Sequence, residues 1–260
     1  MSNLFIHSPL EQFEVISLMH LNLPILGNFN ISLTNFGLYT ILTVFLILSM
    51  HIVSISDKTL VPTRWAISKE SSFASLHGLV KNQIGQANEM YLPFIYSLFF
   101  FILIANLNGN IPYGFTITTS LVLSMGLSVT IFLGVTILAL SRHGVHFFSF
   151  FVPSGTPLVL VPILVPIELI SYVSRAFSLG IRLFANCTAG HVLMKILSGF
   201  LANMFLSGLL MFIVTLIPFA IFMGVIALEC AVSFIQAYVF TILTASYLKD
   251  AIDLHLSAPP

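Results

Sequence analysis

Charge is what this sequence has least of. Asp, Glu, Lys and Arg together fill 18 of 260 positions, nine acidic and nine basic, for a formal net charge of zero. A soluble domain carries charge at roughly a quarter of its positions, so this chain cannot cover a water-facing surface. Its balance also offers nucleic acid no bulk attraction. Cysteine is almost absent: Cys187 and Cys230 both fall in apolar stretches and read as small packing residues, not as a disulfide scaffold. There is no phosphate loop, dinucleotide fingerprint or nucleophile elbow, so the chain is not expected to bind nucleotide or hydrolyse anything alone. No cofactor is implied, and no metal site. The first Lys or Arg is Lys58, which leaves out the positive n-region of a secretory signal and the arginines of a transit peptide. A chain this apolar without an import signal is expected to be made inside the organelle that uses it. Asn30-Ile-Ser32 and Asn186-Cys-Thr188 match a glycosylation pattern. The second falls inside a predicted membrane helix, so both read as chance matches.

What is there is apolar: 58% of the residues are hydrophobic. Lipid is the solvent such a chain implies. Five crossings are predicted, over 36–56, 90–107, 116–140, 157–197 and 205–248. The polar, mixed-charge stretch 57–88 reads as a surface helix rather than a crossing. Residues 1–30 have only patchy periodicity, with a short interfacial helix expected around Pro9 to Met19. Asn106 to Pro112 reads as a turn. Lys58, Arg64, Lys69 and Lys81 fall in one loop, Arg142 in another and Lys249 at the C-terminal end. The positive-inside rule then puts the C-terminus inside and the N-terminus outside.

The last two crossings are too long. About 35 residues rise roughly 50 Å, against about 30 Å of hydrocarbon. Either they tilt steeply or they break and re-enter, and Pro162, Pro166 and Pro218 mark where they would bend. Steep tilt is the economical reading. Both also carry polar stripes. Glu168, Ser171, Arg175, Ser178, Arg182 and Asn186 recur at intervals of three and four, as do Glu229, Ser233 and Gln236, which puts each set on one helical face. Ionisable groups at membrane depth cost at least a few kcal/mol each, so they face water, a partner or one another. An isolated Glu–Arg pair could simply staple a bundle; two stripes on consecutive over-long helices point to function.

Antiparallel spacing orders these groups. If Glu168 and Asp250 are level, Arg182 and Gln236 are level too, about 21 Å along, and His191 and Glu229 are level further towards the outside. That makes two titratable clusters with Arg182 between them. Carboxylates and histidine exchange protons; arginine in practice does not deprotonate. A fixed cation between two half-paths forces a proton to leave one path on a mobile carrier before it reaches the other. Small residues near Arg182 (Ser178, Gly180, Ala185, Ala189 and Gly190) would let such a carrier approach closely. Arg175 reads as an anchor for Glu168. Lys195 reads as a snorkelling residue and Trp65 as an interfacial anchor. His51, His77, His143, His146 and His255 read as surface groups rather than metal ligands.

Ser174-Arg-Ala-Phe-Ser-Leu-Gly-Ile-Arg-Leu-Phe-Ala-Asn-Cys-Thr-Ala-Gly-His191 resembles the signature of subunit a of F-type ATP synthases, the ATP synthase A chain family. Gln236-Ala-Tyr-Val-Phe-Thr-Ile-Leu-Thr, ending in Ser246-Tyr-Leu-Lys-Asp250, is a second match. Ser8-Pro-Leu-Glu-Gln-Phe-Glu14 looks like the N-terminus of the fungal mitochondrial version, with a short leader over residues 1–7 as a further expectation. The resemblance covers essentially the whole chain. It implies an all-α membrane protein whose last two helices form a tilted, antiparallel hairpin against the ring of c-subunits. It implies partners in that c-ring, in the peripheral stalk and in other membrane-sector subunits, with protons as the transported ion. The location it implies is the mitochondrial inner membrane, with the N-terminus in the intermembrane space and the C-terminus in the matrix. Arg182 matches the family's essential arginine, His191 and Glu229 its inlet path, Glu168 and Asp250 its outlet path, and Asn186 and Gln236 the arginine's polar neighbours. Bacterial members tend to carry an acid where His191 stands and histidine where Glu229 stands, so the swapped pair points to the mitochondrial branch. A proton-coupled secondary transporter is the alternative function, but five crossings do not halve and no internal repeat is visible. A purely structural assembly subunit would not need charges at mid-membrane.

Overall fold

The computed structural model describes residues 10–23, 29–55, 63–111, 114–152 and 160–252. The leader expected over 1–7, His255 and the fourth crossing's start at Pro157 lie outside the described residues. Among the described residues six α-helices follow one another: α1 (Asn35–Ile55), α2 (Arg64–Ile84), α3 (Leu92–Gly109), α4 (Leu121–His143), α5 (Val161–Leu206) and α6 (Leu209–Ile252). Five apolar segments, built on all of these but α2, are long enough to cross a membrane. α2 is amphipathic instead. Thr63 caps its N-terminus by accepting from the Ala66 N–H, and Gly85 closes it with a φ of 89°. Leu76, Leu79, Val80 and Ile84 form its buried face, spaced as one side of a helix. Lys69 of α2 lies 4.0 Å from the centre of the Phe100 ring, and burial pulls its pKa below the usual lysine value.

The N-terminal segment differs from expectation. Instead of a helix from Pro9 to Met19, a single 3-10 turn at Glu11–Phe13 leads into strand β1 (Ser17–Leu23), paired antiparallel with β2 (Phe29–Thr34). Patchy periodicity over so short a run does not separate helix from strand; the partner strand decides it by supplying the hydrogen bonds. Asn35 joins the hairpin to α1. Its side chain accepts from the N–H groups of Ile16 and Phe36 and donates to the Glu14 carbonyl.

α5 and α6 are unbroken over 46 and 44 residues, roughly 65–70 Å each. That excludes break and re-entry. Pro162 lies in the first turn of α5, where its missing N–H has no partner to lose; Pro166 and Pro218 are carried inside the helices. The turn between α5 and α6 is Ser207-Gly208, and Gly208 has a φ of 128°, a conformation that favours glycine.

The chain divides into two compact units. One comprises residues 1–50, 101–120 and 184–236. In it Ala105, Phe115 and Ile117 form a core against Phe36, Tyr39 and Phe101. The other comprises 51–100, 121–183 and 237–260. In it Ala237, Phe240, Thr241, Thr244, Ala245 and Leu248 form the buried face of α6. Within this second unit α4 and α5 approach at backbone distance. The Ser128 hydroxyl donates to the Ala176 carbonyl, and a Cβ on Gly180 would meet Met125 Cα and the Ser124 carbonyl oxygen at 3.1 Å. Gly180 therefore serves helix packing inside the chain, not the approach of an outside partner, because it is buried on the α4 side of α5.

Gly180→Ala is expected to overpack this contact by about 1–3 kcal/mol, lowering the thermal stability and the amount of subunit retained in membranes. Gly134→Ala, where a Cβ meets nothing within 4 Å, is the control and should hold or gain stability.

Candidate functional site

Helical spacing fixes which residues of α5 and α6 face together, and two polar clusters result. In the second unit the Arg175 guanidinium lies 3.9 Å from Glu168 and 3.6 Å from Asp250. Glu168 and Arg175 are two helical turns apart on α5, while Asp250 comes from α6. The arginine thus bridges two carboxylates that would otherwise repel each other. All three side chains are about a third exposed. Beside the cluster Phe132, Phe147, Phe150, Tyr172 and Tyr247 wall a small aromatic recess that reaches Arg175 and Asp250. The Tyr172 hydroxyl is held at 2.9 Å by Thr136. Arg175 is expected to anchor Glu168; it also holds Asp250.

In the first unit His191 Nδ1 lies 3.7 Å from Glu229 Oε1, with both side chains nearly nine-tenths buried. The levels worked out from antiparallel spacing are met for this pair. Gly190 makes room for the carboxylate: a Cβ there would come within 2.8 Å of Glu229 Oε1. Like Gly180, it faces into the chain, whereas Ser178, Ala185 and Ala189 are exposed. His191 Nε2 hydrogen-bonds the Thr116 hydroxyl at 2.9 Å. A small pocket opens on the pair, lined also by Asn186, Ser233 and Gln236.

Arg182 is exposed on α5. Among the described residues its guanidinium has neither a hydrogen bond nor an ion pair. It shares that exposed face with Ser174, Ser178, Ile181, Ala185 and Ala189, a surface of small and aliphatic groups.

Two pocket residues, Asn106 and Asn110, read from the sequence as turn formers. α3 continues as helix to Gly109, carrying Asn106 and Asn110 to α6. Asn106 Nδ2 donates to the Ser233 carbonyl at 3.4 Å, and Asn110 Nδ2 to the Ser233 hydroxyl at 3.1 Å. Asn106 Oδ1 also accepts from Cys187 Sγ at 3.5 Å. Their i, i+4 spacing at the end of an apolar helix is the same signal that marks the α5 stripe. The turn propensity of Asn and Gly masks it. Several histidines read as surface groups have structural partners. His51 hydrogen-bonds Tyr96 at 3.1 Å, His77 lies 3.5 Å from Glu89, and His143 Nε2 lies 3.2 Å from the Ile252 carbonyl oxygen at the end of α6. No group of three or more metal-ligating side chains occurs among the described residues.

The profile of the family described as ATP synthase A chain matches residues 37–249. The chain is 73% identical over 250 residues to "ATP synthase subunit a" of Mycosarcoma maydis, covering 96% of this chain and 98% of that one. It is 50% identical to the protein of the same name from Emericella nidulans, over 96% and 98% of the two chains. For Kluyveromyces lactis the identity is 44%, over 98% of this chain and all of the relative. With a profile match across most of its length and relatives this similar over theirs, the chain belongs to the ATP synthase A chain family, a proton-translocating component of the synthase membrane sector.

Proposed function

We propose that this chain is the stator part of the proton path, working against a ring of carboxylate-bearing c-subunits in the mitochondrial inner membrane. The observation that carries this reading is the exposed Arg182 guanidinium, which has no ion-pair partner among the described residues. In α5 it lies between two clusters that do have partners, the one at Arg175 and the one at His191. A permanent charge left open on a surface of small and aliphatic residues favours an anionic partner from outside the chain. A ring carboxylate fits that description.

The chemistry follows from charge. A ring carboxylate passing Arg182 is held ionised by the opposite charge, so it gives up its proton on the outlet side, towards Glu168 and Asp250. Beyond Arg182 it meets the inlet side at His191 and Glu229 and takes up a proton. Only the neutral carboxyl enters lipid cheaply. Arg182 cannot relay a proton, so the two half-paths join only through rotation of the ring. A proton crossing 100 mV yields about 2.3 kcal/mol, which the fixed cation keeps from leaking away. Asn186 and Gln236 line the inlet pocket as supporting polar groups, with Ser233 beside them; Ser178 lies next to Arg182 on the exposed face. The chain works with the other subunits of the membrane sector and the peripheral stalk. Nucleotide chemistry falls to other subunits. The distribution of Lys and Arg supports an N-terminus in the intermembrane space and a C-terminus in the matrix.

Arg182→Ala, in vesicles where the complex is shown to assemble, is expected to cut ATP-driven proton pumping by at least tenfold and to add passive leak. Unchanged pumping would remove Arg182 from the barrier. Arg175→Ala leaves Glu168 and Asp250 without their shared counter-charge. Pumping should fall several-fold with no added leak, because the barrier cation is still present; a leak equal to that of Arg182→Ala would contradict separate roles for the two arginines.

A further inference from the structure

We propose that Thr116 is a positioning residue of the inlet pair: its hydroxyl holds the His191 ring in the orientation that turns Nδ1 towards Glu229. This rests on the inlet reading of His191 given above. Imidazole has two nitrogens on different edges of one rigid ring, so anchoring one sets the direction of the other. Thr116 Oγ1 lies 2.9 Å from Nε2, and Glu229 Oε1 lies 3.7 Å from Nδ1. In the tautomer this assigns, Nε2 carries the proton, and the hydroxyl accepts from Nε2–H of the neutral ring and of the imidazolium alike. The Nε2 proton then stays in place in both states. The proton that moves is the one on Nδ1: the N–H bond broken there is matched by an O–H bond formed at Glu229, and the reverse on uptake.

The backbone around Thr116 is shaped for this. Thr119 Oγ1 donates to the Thr116 carbonyl at 2.6 Å and tightens the turn that carries it. Gly109, the last residue of α3, lies directly behind the side chain. A Cβ at that position would come within 2.5 Å of Thr116 Oγ1 and 2.9 Å of Thr116 Cβ, so any other residue there displaces the hydroxyl. Gly190 clears the same kind of space for Glu229. Each arm of the relay thus sits over a position with no side chain. The Phe13 ring meets the imidazole edge-on with centroids 6.3 Å apart, and it brings no competing acceptor.

The test is ATP-driven pumping by the intact synthase in membrane vesicles, with the amount of assembled complex measured in parallel. Thr116→Val keeps the shape and removes the hydroxyl; Thr116→Ser keeps the hydroxyl and removes the methyl. Thr116→Val is expected to pump at least fivefold more slowly and Thr116→Ser within about twofold of the native rate, with Gly109→Ala resembling Thr116→Val. Native pumping by Thr116→Val, or an equal loss in Thr116→Ser, would overturn the proposal, since a packing role depends on shape. If Thr116→Val does not assemble, Thr116→Ala against Thr116→Ser decides on the same terms, because the two differ only in the hydroxyl. Equal pumping by that pair overturns the inference. His191→Ala separates the levels. Native pumping in it removes the inlet reading and this inference together; lost pumping in it beside native pumping in Thr116→Val overturns this inference alone.

Discussion

Lipid supplies no hydrogen bonds, and the rest of this structure follows from that. The backbone of each crossing must be satisfied inside its own helix, which is why α5 and α6 run unbroken for more than forty residues each. Polar side chains at membrane depth must likewise find partners within the protein. Here they do so in sets: Glu168 and Asp250 on Arg175, and His191 between Thr116 and Glu229. Against this rule Arg182, exposed and without an ion pair among the described residues, stands out.

Close packing depends on residues that lack side chains. Gly180 brings α5 to the backbone of α4, Gly190 seats the Glu229 carboxylate and Gly109 seats Thr116. Each removes a Cβ where a polar or backbone atom has to pass. The small residues of α5 consequently divide by face. Gly180 and Gly190 pack inward, and Ser178, Ala185 and Ala189 are left on the exposed side with Arg182. One stretch of sequence thereby provides both tight internal packing and a low, smooth outer surface around a single fixed charge.

The two clusters are suited to different tasks. The set of Glu168, Arg175 and Asp250 is about one-third exposed and built around a permanent cation. The His191–Glu229 pair is nearly closed off, and among the described residues no Lys or Arg forms an ion pair with it. Hydroxyl and amide groups surround it instead, from Thr116, Asn110 and Ser233. Neutral donors and acceptors orient such a pair without adding charge to it.

How much of this was legible beforehand depends on the range of the interaction. Period and length alone give the five crossings, the amphipathic α2, the two over-long helices and the stripe that contains Arg182, because helical geometry relates residues three and four apart wherever the helix lies. Antiparallel counting extends that far enough to pair His191 with Glu229 and Glu168 with Asp250. The N-terminal hairpin was not legible, since β1 acquires its structure from a partner strand. Nor were the contacts of Asn106, Asn110 and Thr116: the asparagines prefer turns and Thr116 reads as the start of a crossing, and only packing against residues of α5 and α6 distant in sequence brings them to Ser233 and His191. The sequence by itself determined a lipid-solvated chain with one cation between two acid–base groups, because composition and helical period are local properties. Only the tertiary structure decided which glycines face inward, which asparagines meet Ser233 and which nitrogen of His191 faces Glu229, because those depend on atoms brought together by packing.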